Sequence, residues 1–389
     1  MTRAARAALA QQLRAALDRE LDGAVQLRRE LHASPELSGS ETRTAARVAA
    51  ALGAPDALVV AGTGRLVRIG PRTGPCVAVR AELDALPITE QTGADWSSRN
   101  GAMHACGHDV HLAALAALGR AAASTADLPA ALLAVLQPRE ETSPSGARDI
   151  AASDPFQAQR PAAVVGVHLQ HQLSAGTVAA PAGTVNAAAD DFEIQVEGAG
   201  GHAGYPHLAT DPVPALCQAV LAVQQVIARH TDPTHAVVAS VGMLAAGHAP
   251  NVIPPGARAR GTLRALDESD RPALHATLRE VVDHICRAHG CRGTVTITEG
   301  EPALVNDDGL ATASWPWLES LGFGVDTGFR SCGADDFSFY ARSAPTLMLF
   351  LGTEGELSLH HPGFLPGDDS VRQAAQAMLA GYLSAVGGS

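Results

Sequence analysis

Two hydrophobic patterns run along the chain, and the switch between them divides it. Leu13, Leu17, Leu21, Leu27 and Leu31 recur among charges at helical spacing, which predicts an amphipathic helix over 13–31. A second helix is expected after Ser40, whose hydroxyl is placed to cap it, with Glu41 and Arg43 in its first turn. The intervening H-A-S-P-E-L-S-G reads as a loop in which His32 and Glu36 are either solvated or shape a pocket. Residues 76–79 are a short apolar run leading into R-A-E-L-D-A-L-P-I, a buried strand with Glu82 and Asp84 near its C-terminal end. A helix capped by Asp109 follows His108 and carries Leu112, Leu115 and Leu118. The run A-L-L-A-V-L is the next buried strand, ending at Q-P-R-E-E; a short helix at 146–152 leads to A-A-V-V-G-V, which stops at His168. Non-alternating apolar strands separated by helices predict a mostly parallel mixed sheet with helices on both faces.

From about Asn186 the strands change character. D-F-E-I-Q-V-E at 191–197 alternates strictly, so one of its faces is wet. A helix from Asp211, with Pro212 in its first turn, places Leu216, Val220, Val223 and Ile227 on one stripe. Strands are expected at 237–244 and 258–266. A helix capped by Ser269 then carries Leu274, Leu278, Val281 and Ile285 up to Gly290, and T-V-T-I-T-E closes the segment. The order βαββαβ is that of a ferredoxin-like unit. The first pattern resumes with a helix at 310–321, a strand at 346–351 and a helix at 368–386. The expected organisation is α/β: a first part of the main domain at 1–185, an inserted domain at 186–299, and the second part at 300–389.

Composition narrows the partners. Acidic residues outnumber basic ones 40 to 28, for a net charge of −12, and no basic cluster could track a phosphate backbone, so neither nucleic acid nor an anionic membrane is expected. Every basic residue is arginine, which removes lysine Schiff bases and lysine nucleophiles. Cys76, Cys106, Cys217, Cys286, Cys291 and Cys332 form no C-x-x-C pair, a usage that fits a reducing cytoplasm. The N-terminal stretch reads as an amphipathic helix and not as a signal peptide.

The candidate chemistry centres on M-H-A-C-G-H-D-V-H, residues 103–111. Thiolate sulfur and imidazole nitrogen are preferred ligands of zinc-like ions, and a glycine between Cys106 and His108 lets both point at one centre. In open α/β sheets ligands bind beyond the carboxyl ends of the strands. Asp84, the Glu140–Glu141 pair, His168 and His360 each fall after a different predicted strand, so four strand ends supply acid, base or ligand groups to one edge.

With these motifs, G-A-G-G-H-A-G-Y-P-H, N-V-I-P, G-T-L-R, G-A-D-D-F-S-F-Y and L-H-H-P-G-F, the sequence resembles the amidohydrolase branch of the aminoacylase and carboxypeptidase metallopeptidases. That branch contains hippurate hydrolases, indoleacetyl-amino-acid hydrolases and N-acetyl-diaminopimelate deacetylases. The resemblance spans about Leu27 to Phe364, and it implies a two-metal catalytic domain interrupted by a lid that also makes a homodimer. It makes Cys106, His108, Glu141, His168 and His360 the ligands of two divalent ions (zinc, manganese, cobalt or nickel), with Cys106 bridging them. It makes Glu140 the general base, with Asp84 orienting the centre. His202 becomes the oxyanion donor, and Asn251 and Arg264 hold the substrate carboxylate. Glu82, His104, His111 and His207 support the site. His171 and His361 stand close to His168 and His360 as alternative ligands. The sequence departs from the family pattern at Arg139 and at T-S-P-S after Glu141, which bears on pocket shape.

The implied activity is cleavage of the N-acyl bond of a small N-acyl amino acid by a metal-bound water. A dipeptidase or an N-acetyl-diaminopimelate deacetylase of the same build is the near alternative, and an amidase using Cys106 as nucleophile and His108 as base the distant one.

Overall fold

The non-alternating apolar runs become the centre of an eight-stranded sheet in a computed structural model that describes residues 2–355 and 357–386. Ala131–Gln137, Cys76–Glu82, Ala163–Gln170 and Thr346–Gly352 lie side by side and parallel, and every residue in them is buried. Such strands read as continuous apolar runs because both faces are covered. A Cβ on Gly166 would meet Met348 and Phe337, whereas Val165, one residue earlier, packs so closely under the C-terminal helix that a Cβ on Gly381 would strike it. Antiparallel strands flank this core: Gly64–Ile69 beside Ala131–Gln137, and Thr177–Ala179 beside Thr346–Gly352. Helices Arg3–Ala33, His108–Ala123 and Asp369–Val386 pack together on one face, and Gly146–Ala152 with Asp336–Arg342 lies on the other.

Three predicted caps are corrected. Ser40 does not cap Thr42–Ala51; the Glu36 carboxylate, eight residues away, accepts from both the Thr44 N–H and its hydroxyl. Asp109 does not cap His108–Ala123, whose N-cap is Gly107; its carboxylate instead receives the Arg28 guanidinium and the His32 ring. Ser269 does not cap Arg271–Ala288, because Asp267 holds a preceding 3-10 turn that occupies the position. In the first and third cases an acidic side chain nearby took the role expected of a serine, and in the second the expected cap was drawn into a buried ion pair.

The chain divides into two compact units, Met1–Gly183 with Val305–Phe329 and Asp336–Ser389, and Thr184–Leu304 with Arg330–Asp335. The expected boundary at 299 falls a few residues short, because Gly300 N–H remains bonded to Ala189 O and to Asp190. The second unit holds a four-stranded antiparallel sheet in the order Val237–Ala246, Gly256–Ala265, Ala188–Glu197, Arg292–Glu299. Helices Pro212–His230 and Arg271–Ala288 cover one face, burying Ala257, Ala259 and Leu263, while Arg258 and Arg260 look out from the other. Gly290, at φ +70°, ends the second helix: its N–H reaches Arg287 O and Cys291 N–H reaches Cys286 O. No helix among the described residues is long and apolar enough to cross a membrane.

Candidate metal centre

Parallel strands share a direction, so the ends of Cys76–Glu82, Ala131–Gln137, Ala163–Gln170 and Thr346–Gly352 deliver their following residues to one edge. His168 is the exception in detail: the strand continues through it to Gln170, so it projects from the strand itself. Three sets of donor atoms cluster there, each within 4.8 Å: Cys106, His108 and His168; Cys106, Glu141 and His360; His108, Glu140 and Glu141. His171 and His361 belong to no such set among the described residues. Cys106 is common to the His168 and His360 groups.

Local backbone conformation makes this convergence possible. Gly107 takes φ +82°, and a Cβ there would stand 2.5 Å from Leu169 Cδ1, so only glycine fits between Cys106 and His108. His360 is itself left-handed at φ +66°, and its N–H donates to Ala105 O at 2.9 Å, which anchors its loop beside Cys106. Its Nε2 lies 3.3 Å from Glu141 Oε1. Arg139, immediately before the glutamate pair, is also left-handed at φ +53°. A non-glycine residue in this region costs on the order of 1–2 kcal/mol, and such strain clusters at functional sites.

The hydrogen bonds assign the imidazole tautomers. His108 Nδ1–H donates to Asp84 O at 2.9 Å, leaving a buried Nε2 with no hydrogen-bond partner. His168 Nδ1–H donates to Leu169 O at 2.7 Å, leaving Nε2 facing Cys106 Sγ at 3.4 Å. Each ring thus turns a lone pair inward, the arrangement a cation needs from neutral histidine. Asp84 accepts from Glu141 N–H at 2.9 Å and from the Ser38 hydroxyl at 2.7 Å through Oδ2, while its buried Oδ1 has no hydrogen-bond partner. Burial, and then the Glu141, Glu140 and Glu82 carboxylates, push the Cys106 thiol well above its usual range. These acidic surroundings oppose a free thiolate nucleophile, and a dication is the counter-charge that would permit one. Orphaned inward atoms, paired carboxylates and a sulfur in one cluster fit divalent metal.

Behind the cluster runs a polar chain in which the expected supporting residues His111 and Glu82 meet Arg80, Gln137 and Asp336, which sequence reading did not anticipate. His111 accepts Leu169 N–H on Nε2 at 3.1 Å and donates from Nδ1 to Glu82 at 2.9 Å. Glu82 pairs with the fully buried Arg80, which also reaches Gln137 at 2.8 Å and Asp336 at 2.7 Å. Burial opposes ionisation of Glu82, yet the Arg80 charge holds its carboxyl well below the usual range. His104 is buried among apolar and imidazole neighbours, and burial draws its pKa down to about 3. The one sequence signal for this chain was a charge, Arg80, inside an otherwise apolar strand.

The remaining predicted residues belong to the second unit. His202 Nδ1 accepts from Gly204 N–H at 3.0 Å, so Nε2 carries the proton on an exposed ring. Asn251 is next to it: Ala203 N–H donates to Asn251 O, and Val252 pairs with His202. His207 is exposed in a 3-10 turn nearby. Arg264 is elsewhere, near the far end of strand Gly256–Ala265. At ~3.3 Å per residue, roughly 26 Å of strand separates it from Gly256. The chain therefore groups His202 with Asn251 but not with Arg264.

The fold and this cluster define a hydrolase of amide bonds. The chain belongs to peptidase family M20/M25/M40, whose model matches residues 78–382. It is 32% identical over 361 residues to the N-acetylcysteine deacetylase of Bacillus subtilis, covering 90% of this chain and 94% of that protein. It is also 32% identical over 374 residues to the N-acetyldiaminopimelate deacetylase of the same organism, covering 94% and 99%. Among solved structures, a dinuclear metal-binding peptidase of the M20 family from Bacillus subtilis superposes with a TM-score of 0.81 at 29% identity, covering 94% of this chain and 98% of that one.

Proposed function

We propose that the protein removes the acyl group from small N-acyl amino acids with the help of two divalent metal ions, which Cys106, His108, Glu141, His168 and His360 would hold. The observation that supports this reading is the convergence of His108, His168 and His360 on a cysteine and a glutamate pair, with donor atoms in each group within 4.8 Å of one another. Two bound cations of the zinc, manganese, cobalt or nickel type would supply Lewis acidity toward a water and the amide carbonyl. Glu140, within 4.8 Å of both His108 and Glu141, takes the proton from the attacking water and delivers it to the departing amine nitrogen. Asp84 fixes the Glu141 backbone and the His108 tautomer. His202 offers its Nε2–H to the oxygen that gains charge in the transition state. Asn251 and Arg264 bind the substrate carboxylate, the arginine through a two-pronged contact.

The second unit, with its strand-helix-strand-strand-helix-strand order, serves as a ferredoxin-like lid. The distance between Asn251 and Arg264 within one protomer supports a homodimer in which His202 of one copy serves the other's site. Six cysteines free of disulfides support a cytoplasmic location. N-acetyldiaminopimelate is the particular alternative substrate favoured by the relatives.

The test is hydrolysis of N-acetyl, N-benzoyl and longer N-acyl amino acids, with dipeptides and N-acetyldiaminopimelate, by metal-free protein and after adding back each cation. Glu140→Gln is expected to lower kcat by about 10²–10⁴ with cation binding retained. Turnover that survives both chelation and Glu140→Gln would refute the mechanism.

A further inference from the structure

Glu140 sits between two backbone amides that are each held by a buried carboxylate. On one side Glu141 N–H donates to Asp84 Oδ2 at 2.9 Å. On the other, Arg139 N–H donates to Glu41 Oε1 at 3.0 Å. Glu41 is fully buried, and its remaining contacts are Gly39 N–H at 2.7 Å and the Thr63 hydroxyl at 2.6 Å. All three partners are neutral donors. A carboxylate in such a place is a poor stabilising device, because burying a charge is costly unless it is paired. Nor does it serve the helix that follows, for which it makes no side-chain cap. What it does provide is one acceptor oxygen, Oε1, that ties Gly39 N–H to a second amide, Arg139 N–H.

That amide belongs to the residue whose backbone most needs holding. Arg139 is left-handed at φ +53°, a conformation that persists in a non-glycine residue only when its surroundings over-determine it. Every polar group of Arg139 is engaged. Its N–H goes to Glu41, and its carbonyl accepts from Gly146 N–H at 3.0 Å. Its guanidinium donates to Pro144 O at 2.8 Å and to Asp149 at 2.5 Å. The left-handed turn sets the direction in which the chain enters Glu140, so the Glu41 carboxylate and the Arg139 side chain together fix where the Glu140 side chain starts.

We propose that Glu41 is a positioning residue for Glu140: its carboxylate, bound to Arg139 N–H, holds the left-handed turn that aims the base. This rests on the reading of Glu140 as the general base. It also gives the arginine of Q-P-R-E-E a task, since its guanidinium closes the loop containing T-S-P-S from within.

The experiment compares kcat, KM and bound metal for Glu41→Gln, Glu41→Asp, Glu41→Ala and Glu140→Gln in the metal-loaded protein. Glutamine keeps the length and one acceptor oxygen for both amides and turns its NH2 to the Thr63 oxygen. Aspartate keeps the charge but is one methylene too short. The expected kcat order is wild type, Glu41→Gln within about threefold, Glu41→Asp lower, and Glu41→Ala lowest, down about 10²-fold, the scale of a misplaced catalytic group. KM within about twofold and unchanged metal content would accompany it. Should Glu41→Ala not fold, the order of glutamine above aspartate decides. A wild-type kcat in Glu41→Asp, an equal loss in glutamine and aspartate, or a loss that tracks metal content overturns the proposal. Glu140→Gln separates the two failures: if it retains turnover, the base assignment is at fault; if it abolishes turnover while Glu41→Asp is unaffected, only the role of Glu41 falls.

Discussion

The two units solve the problem of charge in opposite ways. In the first, charged groups are sealed in: Arg80, Glu82 and Asp336 lie within the sheet and its cover, and Arg28 and His32 of the N-terminal helix meet Asp109 in a buried contact. In the second, charges stand exposed on the open sheet face, as with Arg260 and Glu193 at 3.7 Å, and Asp190 with Arg271 and His275 is a buried cluster among them. A buried ion network is costly to form and rigid once formed, so it suits a surface on which donors must converge within a few ångströms. An exposed pair contributes little and constrains little, and suits a unit whose candidate residues, His202 and Asn251, are on short surface segments.

The largest expected difference comes from truncating one partner in each setting. Arg80→Ala removes the buried guanidinium from Glu82 and Asp336 and should cost about 3–5 kcal/mol in a denaturant melt. Arg260→Ala should stay within about 1 kcal/mol of wild type. Equal losses would dissolve the contrast.

Glycine substitutions sharpen it next. Gly107→Ala combines a positive φ with a contact at 2.5 Å, and should cost about 2–4 kcal/mol and impair cation binding, read by melting and metal titration. Gly242→Ala, with nothing within 4 Å of the added methyl, should change stability by less than about 0.5 kcal/mol.

Chelation is expected to act on one unit. Removing a ligand present at a hundred times its Kd withdraws about 2.7 kcal/mol. Hydrogen exchange should therefore quicken around residues 103–111, 139–141 and 358–361 and remain unchanged in the strands of the second unit. Uniform quickening would contradict the assignment of the centre.

The smallest effects are in pH dependence, and their signs differ. Burial opposes protonation of His32, but Asp109 and Glu90 outweigh it and raise its pKa above 6.5. The unfolded chain therefore binds fewer protons there than the folded one, and this contribution, complete below pH 6.5, is lost as pH rises through the raised value. Asp190 is the reverse: burial raises it, but Arg271, His275 and Gly300 N–H prevail and hold it below 3.8, so its contribution is present above that pH and lost as pH falls. His32→Gln should flatten the alkaline arm of Tm against pH, and Asp190→Asn the acid arm.

The apolar runs at 76–79, 131–136 and 346–351 were legible as buried strands because a strand covered on both faces needs no alternation, and the alternating strands of the second unit were legible because one face is wet. Short strands such as Leu58–Val60 and Thr177–Ala179 were missed, being too brief to show either period. Of the centre, Cys106, His108, Glu140, Glu141, His168 and His360 were visible as strand-end chemistry and by resemblance. The contacts of Glu41 and of Arg80 with Gln137 and Asp336 were not, and Arg139 was visible only as a departure from the family pattern. Glu41 lies in a stretch that reads as loop and helix start, where a carboxylate is ordinarily solvated or capping.

The sequence by itself determined the longer elements and the residue types gathered at one edge, because hydrophobic period and strand order are local or nearly local properties. Tertiary structure alone decided which lone pairs face inward, which carboxylates meet which amides, and why Gly107, Arg139 and His360 adopt left-handed backbone. Those outcomes depend on partners far away along the chain, such as Glu41 against Arg139 and Leu169 against Gly107, and no spacing rule records a contact that only the closed fold creates.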